Sequence, residues 1–281
     1  MPLMRFSYRG RPSLGVVTPA GVRPLEPTLA ELLALPLAEA QAVVQAASNP
    51  PVEVDSVDIL PPVDTQEVWA AGVTYQRSRD GRVEESGNDD LYDHVYAAPR
   101  PEIFFKATPQ RVVTDGQPVG IRADSGWDVP EAEIALLVSS AGDIFGYLVG
   151  NDMSSRSIEG ENALYLPQAK VYEASCALSS QIVPVWEAPA LPLVVSVDLT
   201  RDGKSVFSGQ TDSDTMRRTF EELVRWLMLA LPFPDGVVLM TGTGLVPGPE
   251  VTVEAGDEVT VTIPGVATLT NPVVLVGHPT P

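Results

Sequence analysis

Residues 131 to 152 read EAEIALLVSSAGDIFGYLVGND, two apolar runs of strand length joined by a turn at Gly142-Asp143. No other stretch limits the fold so tightly. Two adjoining strands this apolar are expected to pair through a short turn at Ala141 to Asp143 and to lie in a core. A chain of 281 residues with 44% hydrophobic content has the material for one. Yet the ends of the pair carry Glu131, Glu133 and Asp152, and carboxylates at the ends of core strands need a reason.

The rest of the chain surrounds this pair with more strands. Residues 4 to 25 alternate short apolar runs with Arg-Gly-Arg-Pro and Pro-Ala-Gly breaks, a small meander. TLAELLALPLAEAQAVVQAA, from Thr28, has helical spacing, a capping box in Thr28 and Glu31, and Pro36 to split it into two short helices. The Pro-rich stretch 48 to 64 places a division near residue 60, between a small N-terminal domain, 1–60, and a main domain, 61–281. EVWAAGVTY, PEIFFKA, LVVSVDLTRDGKSVFSG, VTVEAGDEVTVTI and NPVVLVG then read as strands, with hairpin turns expected at Asp202-Gly203 and Gly256-Asp257. One amphipathic helix is expected from about Ser213 to Leu231. The fold class is therefore α+β and strand-dominated. TGTGLVPG, 241 to 248, lacks the Lys and the spacing of a phosphate-binding loop.

Charge and composition narrow the function. A net charge of -19, from 37 acidic and 18 basic residues, opposes contact with nucleic acid or an anionic membrane. One cysteine, Cys176, excludes an internal disulfide and reads as a small core residue; two histidines, His94 and His278, are too few for a Cys-His zinc site. With no apolar signal core and no run of about 18 apolar residues, the expectation is a soluble, cytoplasmic protein.

On a strand, residues two apart share a face, so Glu131 and Glu133 project together. Asp152 ends the partner strand and can complete the set. Three carboxylates with water in the remaining positions describe an open site for Mg²⁺, with Mn²⁺ or Ca²⁺ as substitutes. Glu-x-Glu is also common at solvated strand ends, and spacing alone does not separate the two.

The ordered set GVTY (72–75), PEIFFK (101–106), EAE (131–133), GND (150–152), SSR (154–156), Lys170, TGTG (241–244) and GVATLTNPV (265–273) resembles the fumarylacetoacetate hydrolase superfamily. The resemblance spans roughly residues 65 to 275. It implies a β-sandwich roll with a small N-terminal domain, Glu131, Glu133 and Asp152 as Mg²⁺ ligands, Lys170 beside the substrate's oxo group, and Thr243 on its carboxylate. It also implies a homodimer or homotetramer.

Two departures point to a branch. Hydrolases of this superfamily usually carry a His three residues beyond the Tyr of GxxY, where this chain has Ser78, and commonly a Gln seven residues after the Asp, where it has Glu159. His94, in a polar segment read as a loop, is the remaining candidate for the absent base. SIEGENALYLPQAK and GVTYQRSRD resemble the 2-keto-3-deoxypentonate dehydratase branch, which forms 2,5-dioxopentanoate. Chelation of a 2-oxo acid by a dication acidifies the C3 protons. Lys170 then serves as base or as donor to the enolate oxygen, and Glu159 or Glu161 protonates the C4 hydroxyl if Leu164, Tyr165 and Leu166 form apolar surroundings. Ser78, Arg77 and Arg79 offer donors to substrate hydroxyls, with salt bridges to Glu84 and Glu85 as the other use of the arginines. Lys106 neutralises or frames the site rather than reacting, and counts with Ser78, Arg77, Lys170 and Thr243 among the substrate-binding candidates. The glycines of TGTG are expected to let backbone approach the substrate carboxylate. A hydrolase of acylpyruvate-like diketo acids and a non-catalytic metal-binding protein are the competing readings.

Overall fold

The computed structural model describes residues 1–80 and 89–278. In it, Ala132–Val138 and Ile144–Asp152 pair antiparallel, with Ala132 opposite Asn151 and Ala135 opposite Leu148. The turn is closed by the Ser139 amide donating to the Asp143 carbonyl at 2.9 Å, and Gly142 takes the left-handed conformation it needs, φ 90°. Every residue of Ala132–Val138 is buried. Ile134, Leu136 and Val138 enter one core and Ala135 and Leu137 another, which explains an apolar run without polar alternation.

Among the described residues this pair sits in the middle of a twelve-stranded mixed sheet. One side continues through Gln181–Pro184, Leu3–Tyr8, Arg11–Thr18 and Gly21–Pro24; the other continues through Val237–Met240, Val68–Gly72 and Glu102–Ala107. A five-stranded sheet in the order Lys204–Asp212, Val194–Arg201, Glu258–Ile263, Ala267–Val276, Val119–Arg122 packs on one face. Its Val195, Val197, Leu199, Val259 and Val261 share a core with Ile134 and Leu136, giving the expected strand-dominated fold. Helix Phe220–Met228 adds Phe220, Leu223, Val224 and Leu227 to the same core.

On the opposite face, helices Leu29–Leu33 and Leu37–Gln45 bury Leu29, Leu32, Leu33 and Val44. The Thr28–Glu31 capping box is formed, and Pro36 separates the two helices. Leu3 pairs with Ile182, and Leu3, Leu14 and Val16 share one core with Leu178 and Val238. We propose segments 1–60 and 61–281 as units distinct in composition that complete one sheet.

Three local expectations are corrected. Val251–Glu254 forms no strand, so Gly256-Asp257 does not close a hairpin; Glu258–Ile263 instead turns at Pro264-Gly265 to pair with Ala267–Val276. The helix expected from Ser213 starts at Phe220, because Met216 is extended and Thr219 supplies the cap to the Glu222 amide. Asp89–Ala97, read as a loop, is a helix that includes His94. No helix among the described residues is long and apolar enough to cross a membrane.

Candidate active site

Glu133 and the buried Ala135 and Leu137 lie on one face of their strand, so the carboxylate sits where an apolar core face ends. The Gly150 opposite Glu133 leaves that end uncrowded, and Asp152 closes the partner strand. Glu131, Glu133 and Asp152 are all buried, each placing a carboxylate oxygen within 4.8 Å of the others.

Cations surround this cluster. The Lys170 ammonium, fully buried, contacts Glu131 Oε2 at 2.9 Å and Asp152 Oδ2 at 3.1 Å, and donates to Ser154 Oγ at 2.5 Å. Lys106, also fully buried, pairs with Asp152 Oδ1 and donates to the carbonyls of Lys170 and Met153 at 2.5 and 3.2 Å. Arg156 reaches Glu131 Oε1 at 2.8 Å and Glu159 Oε2 at 3.6 Å. Burial, then the charges of Asp152 and Glu131, push the Glu133 carboxyl well above the usual carboxylate range. A buried, oxygen-only donor set whose members repel one another fits a hard dication, and the residues that would hold it are Glu131, Glu133 and Asp152.

Gly242 of the TGTG segment contacts the carboxylate cluster through its backbone. The Gly242 amide donates to Glu133 Oε2 at 2.6 Å, so its backbone orients a carboxylate of the protein. Gly242 has φ 90°, and a Cβ there would lie 2.1 Å from Thr74 Oγ1. Thr243, buried, accepts the Leu245 amide at 3.0 Å and lines the cavity beside the cluster. Ser78 lines it too, its hydroxyl donating to the Tyr75 carbonyl at 2.8 Å. Val73 borders the same cavity at φ 53°, a left-handed conformation that a β-branched side chain rarely adopts.

This cavity is only ≈ 10 Å³, room for about one water, so a sugar acid enters only if lining side chains move. A wider groove of ≈ 500 Å³ beside Tyr147 and Arg225 contains none of the three carboxylates.

Other expected residues are distributed unevenly. Glu159 is buried against Arg156, whereas Glu161 is exposed. Leu164 is 84% exposed and Tyr165 is exposed, whereas Leu166 is half-buried. Arg77 donates to the Val246 carbonyl at 3.4 Å and is not part of the cavity wall. Arg79 pairs with Asp80 and Asp93; Glu84 and Glu85 lie outside the described residues. Neither His94 nor His278 lines the cavity. Cys176 is fully buried and its thiol is pushed up to about 12 by burial, in keeping with a core role. Arg156 is the main residue that sequence reasoning missed. It stands in the SSR triplet, but nothing in one sequence marks an arginine as buried between two acids.

Comparison with known proteins agrees with this geometry. A family model, Fumarylacetoacetate (FAA) hydrolase C-terminal, matches residues 67–274. A probable 2-keto-3-deoxyxylonate dehydratase of Haloferax volcanii is 48% identical over 216 residues, 76% of this chain and 74% of that protein. A 2-dehydro-3-deoxy-D-arabinonate dehydratase of Saccharolobus solfataricus is 39% identical over 226 residues, 79% and 76% of the two chains. The solved structure of a 2-keto-3-deoxy-D-arabinonate dehydratase complexed with magnesium and 2,5-dioxopentanoate superposes with a TM-score of 0.86 at 32% identity, covering 99% of this chain and 100% of that one. With a match of that length and relatives of that identity, the chain belongs to the fumarylacetoacetate hydrolase C-terminal family.

Proposed function

We propose that the protein is a Mg²⁺-dependent hydro-lyase that converts a 2-keto-3-deoxypentonate, of the arabinonate or xylonate series, to 2,5-dioxopentanoate in pentose catabolism. One observation carries this reading: a buried three-carboxylate centre touches Lys170 in a cavity lined by Ser78 and, among the described residues, by no histidine.

Glu131, Glu133 and Asp152 would hold the dication, which would supply Lewis acidity at the substrate's 2-oxo group and so acidify C3. The chain's own side chains do the rest. Lys170 exchanges a proton with the C2–C3 end of the substrate, a role supported by its contacts with Glu131 and Asp152. Thr243 holds the substrate carboxylate, and Ser78 with the neighbouring Arg77 supplies donors to its hydroxyls. Glu159, buried beside Arg156, protonates the departing C4 hydroxyl. Lys106 keeps Asp152 in place from below.

The protein works in the cytoplasm as a homodimer or homotetramer. Exposed apolar residues on the strand Ala267–Val276, Val274 and Leu275, support association, and light scattering after gel filtration tests it.

Incubation with Mg²⁺ and either 2-keto-3-deoxypentonates or acylpyruvates, followed by NMR, tests the activity. The expected product is 2,5-dioxopentanoate, with acylpyruvate cleavage slower by about 10² to 10⁴, the usual contribution of a general base. Rapid acylpyruvate cleavage with the pentonate untouched would identify a hydrolase; no product from either would leave a metal-binding protein.

A further inference from the structure

We infer that Ser154 is a positioning residue of this site, one that fixes the Lys170 ammonium beside the C2–C3 end of the substrate; the inference rests on the dehydratase reading. Lys170 reaches the cluster on a flexible four-carbon stem, so its nitrogen lies where the groups around its tip hold it. Two of those groups, Glu131 Oε2 and Asp152 Oδ2, belong to the carboxylates that would hold the dication. Their charge would then be shared between metal and lysine. Ser154 Oγ, at 2.5 Å, makes the shortest of the three contacts and is neutral, so a hard cation with three carboxylates beside it has little pull on it.

The hydroxyl is itself aimed. It donates to the Asp152 carbonyl at 3.0 Å, which engages its one proton and leaves its lone pairs for Lys170. Ser154 is fully buried and stands opposite Val129, where the short strand Ser154–Ser155 pairs with Asp128–Val129, so water does not compete for it.

The two backbones are tied to each other as well. Lys106 Nζ donates to the carbonyls of Met153 and Lys170. Ser175 bridges the same two residues: its carbonyl accepts the Met153 amide at 2.9 Å, and its Oγ donates to the Lys170 carbonyl at 2.9 Å. Lys170 is therefore held at its root by Lys106 and Ser175 and at its tip by Ser154. Loss of the tip contact would free the rotations of the stem while the root stays in place. A hydroxyl also suits a nitrogen that exchanges a proton. It accepts from the ammonium and, by turning its O–H, donates to the amine; an ionised carboxylate, which only accepts, cannot meet the amine lone pair.

The test uses the full-length, Mg²⁺-loaded protein with isotope-labelled lysine. The chain has three lysines, of which Lys106 and Lys170 are fully buried and Lys204 is exposed, so NMR of the side-chain ammonium groups is simple to assign with Lys170→Met as reference. The wild type should show a slowly exchanging Lys170 signal. Ser154→Ala should lose it and leave the Lys106 signal unchanged. With 2-keto-3-deoxypentonate in deuterated water, Ser154→Ala should wash deuterium into C3 about 10²-fold more slowly, the usual effect of misplacing a reacting group by about 1 Å, with KM and calorimetric Mg²⁺ affinity near those of the wild type. Ser154→Thr keeps the hydroxyl and should recover most of the rate, whereas Ser154→Cys keeps the volume with only a weak acceptor and should behave like the alanine variant. A wild-type Lys170 signal in both Ser154→Ala and Ser154→Cys, or equal losses of Mg²⁺ affinity and deuterium wash-in, would overturn the positioning role while the dehydratase reading stands. A wild type that forms no 2,5-dioxopentanoate would reject that reading, and the lysine spectra would still decide whether Ser154 fixes the tip of Lys170.

Discussion

Replacing Glu133 by Gln separates what this carboxylate does for the fold from what it does for a metal. The side chain keeps its shape, and its amide oxygen can still accept the 2.6 Å bond from Gly242. What disappears is a negative charge that burial, Asp152 and Glu131 all oppose. A carboxyl whose pKa is raised by folding costs stability at neutral pH when ionised, so without metal the variant should melt at or above the wild-type temperature. With metal the order should reverse. Mg²⁺ at 100 times its dissociation constant stabilises a protein by about 2.7 kcal/mol, which for a chain of this size raises the melting temperature by roughly 5 °C. Glu133→Gln removes one of three ligand charges and should lose most of that increment. Scanning calorimetry with and without Mg²⁺, supported by isothermal titration, measures both effects. A variant with the full wild-type Mg²⁺ increment would show that Glu133 is no ligand, and a metal-free variant melting several degrees lower would refute the electrostatic argument.

Lys170→Met should abolish deuterium wash-in at C3, whereas Glu159→Gln should keep wash-in and block loss of the C4 hydroxyl; NMR reads both, and equal loss in the two variants would contradict the division of labour. Burial raises Asp128 from 3.8 to about 6, so the native state holds this proton more tightly than the unfolded chain and the group's contribution to stability falls as pH rises from about 4 to about 6. Asp128→Asn should therefore gain roughly 1 to 2 kcal/mol at pH 7 after allowance for solvent screening, and nothing below pH 4, in urea unfolding at a series of pH values. Residues 61–281 expressed alone would expose the core face of Ala135, Leu137, Leu178 and Val238; low soluble yield is expected, and a compact, cooperatively melting fragment would show the two segments to be independent.

Legibility in the sequence followed the range of the forces involved. The 131–152 hairpin could be read because its turn and both partners are contiguous, and its register then delivers Glu131, Glu133 and Asp152 to one place. Thr28, Glu31 and Pro36 were equally clear, since caps and breaks act within a few residues. The Gly256-Asp257 turn misled because Val251–Glu254 alternates like a strand, but Trp127 Nε1 and the Asp128 carbonyl, far away in sequence, hold it as a loop. Arg156 was invisible for a related reason. Its partner Glu131 lies just before the strand Ala132–Val138, and no local periodicity reports a side chain that crosses between elements.

Val73 carries a cost that bears on how the protein could be improved in the laboratory. A β-branched residue at φ 53° in the cavity wall costs about 1 to 3 kcal/mol, and glycine there would relieve most of it at the expense of about 0.5 to 1 kcal/mol of chain entropy. A selection for heat resistance alone would thus be drawn to position 73, gaining a few degrees. The same exchange would remove an isopropyl group from beside Ser78 and Thr243 and let the wall drift. Thermal hardening and turnover would then compete at one residue, so library designs that seek robust catalysts should hold position 73 fixed and look for gains elsewhere.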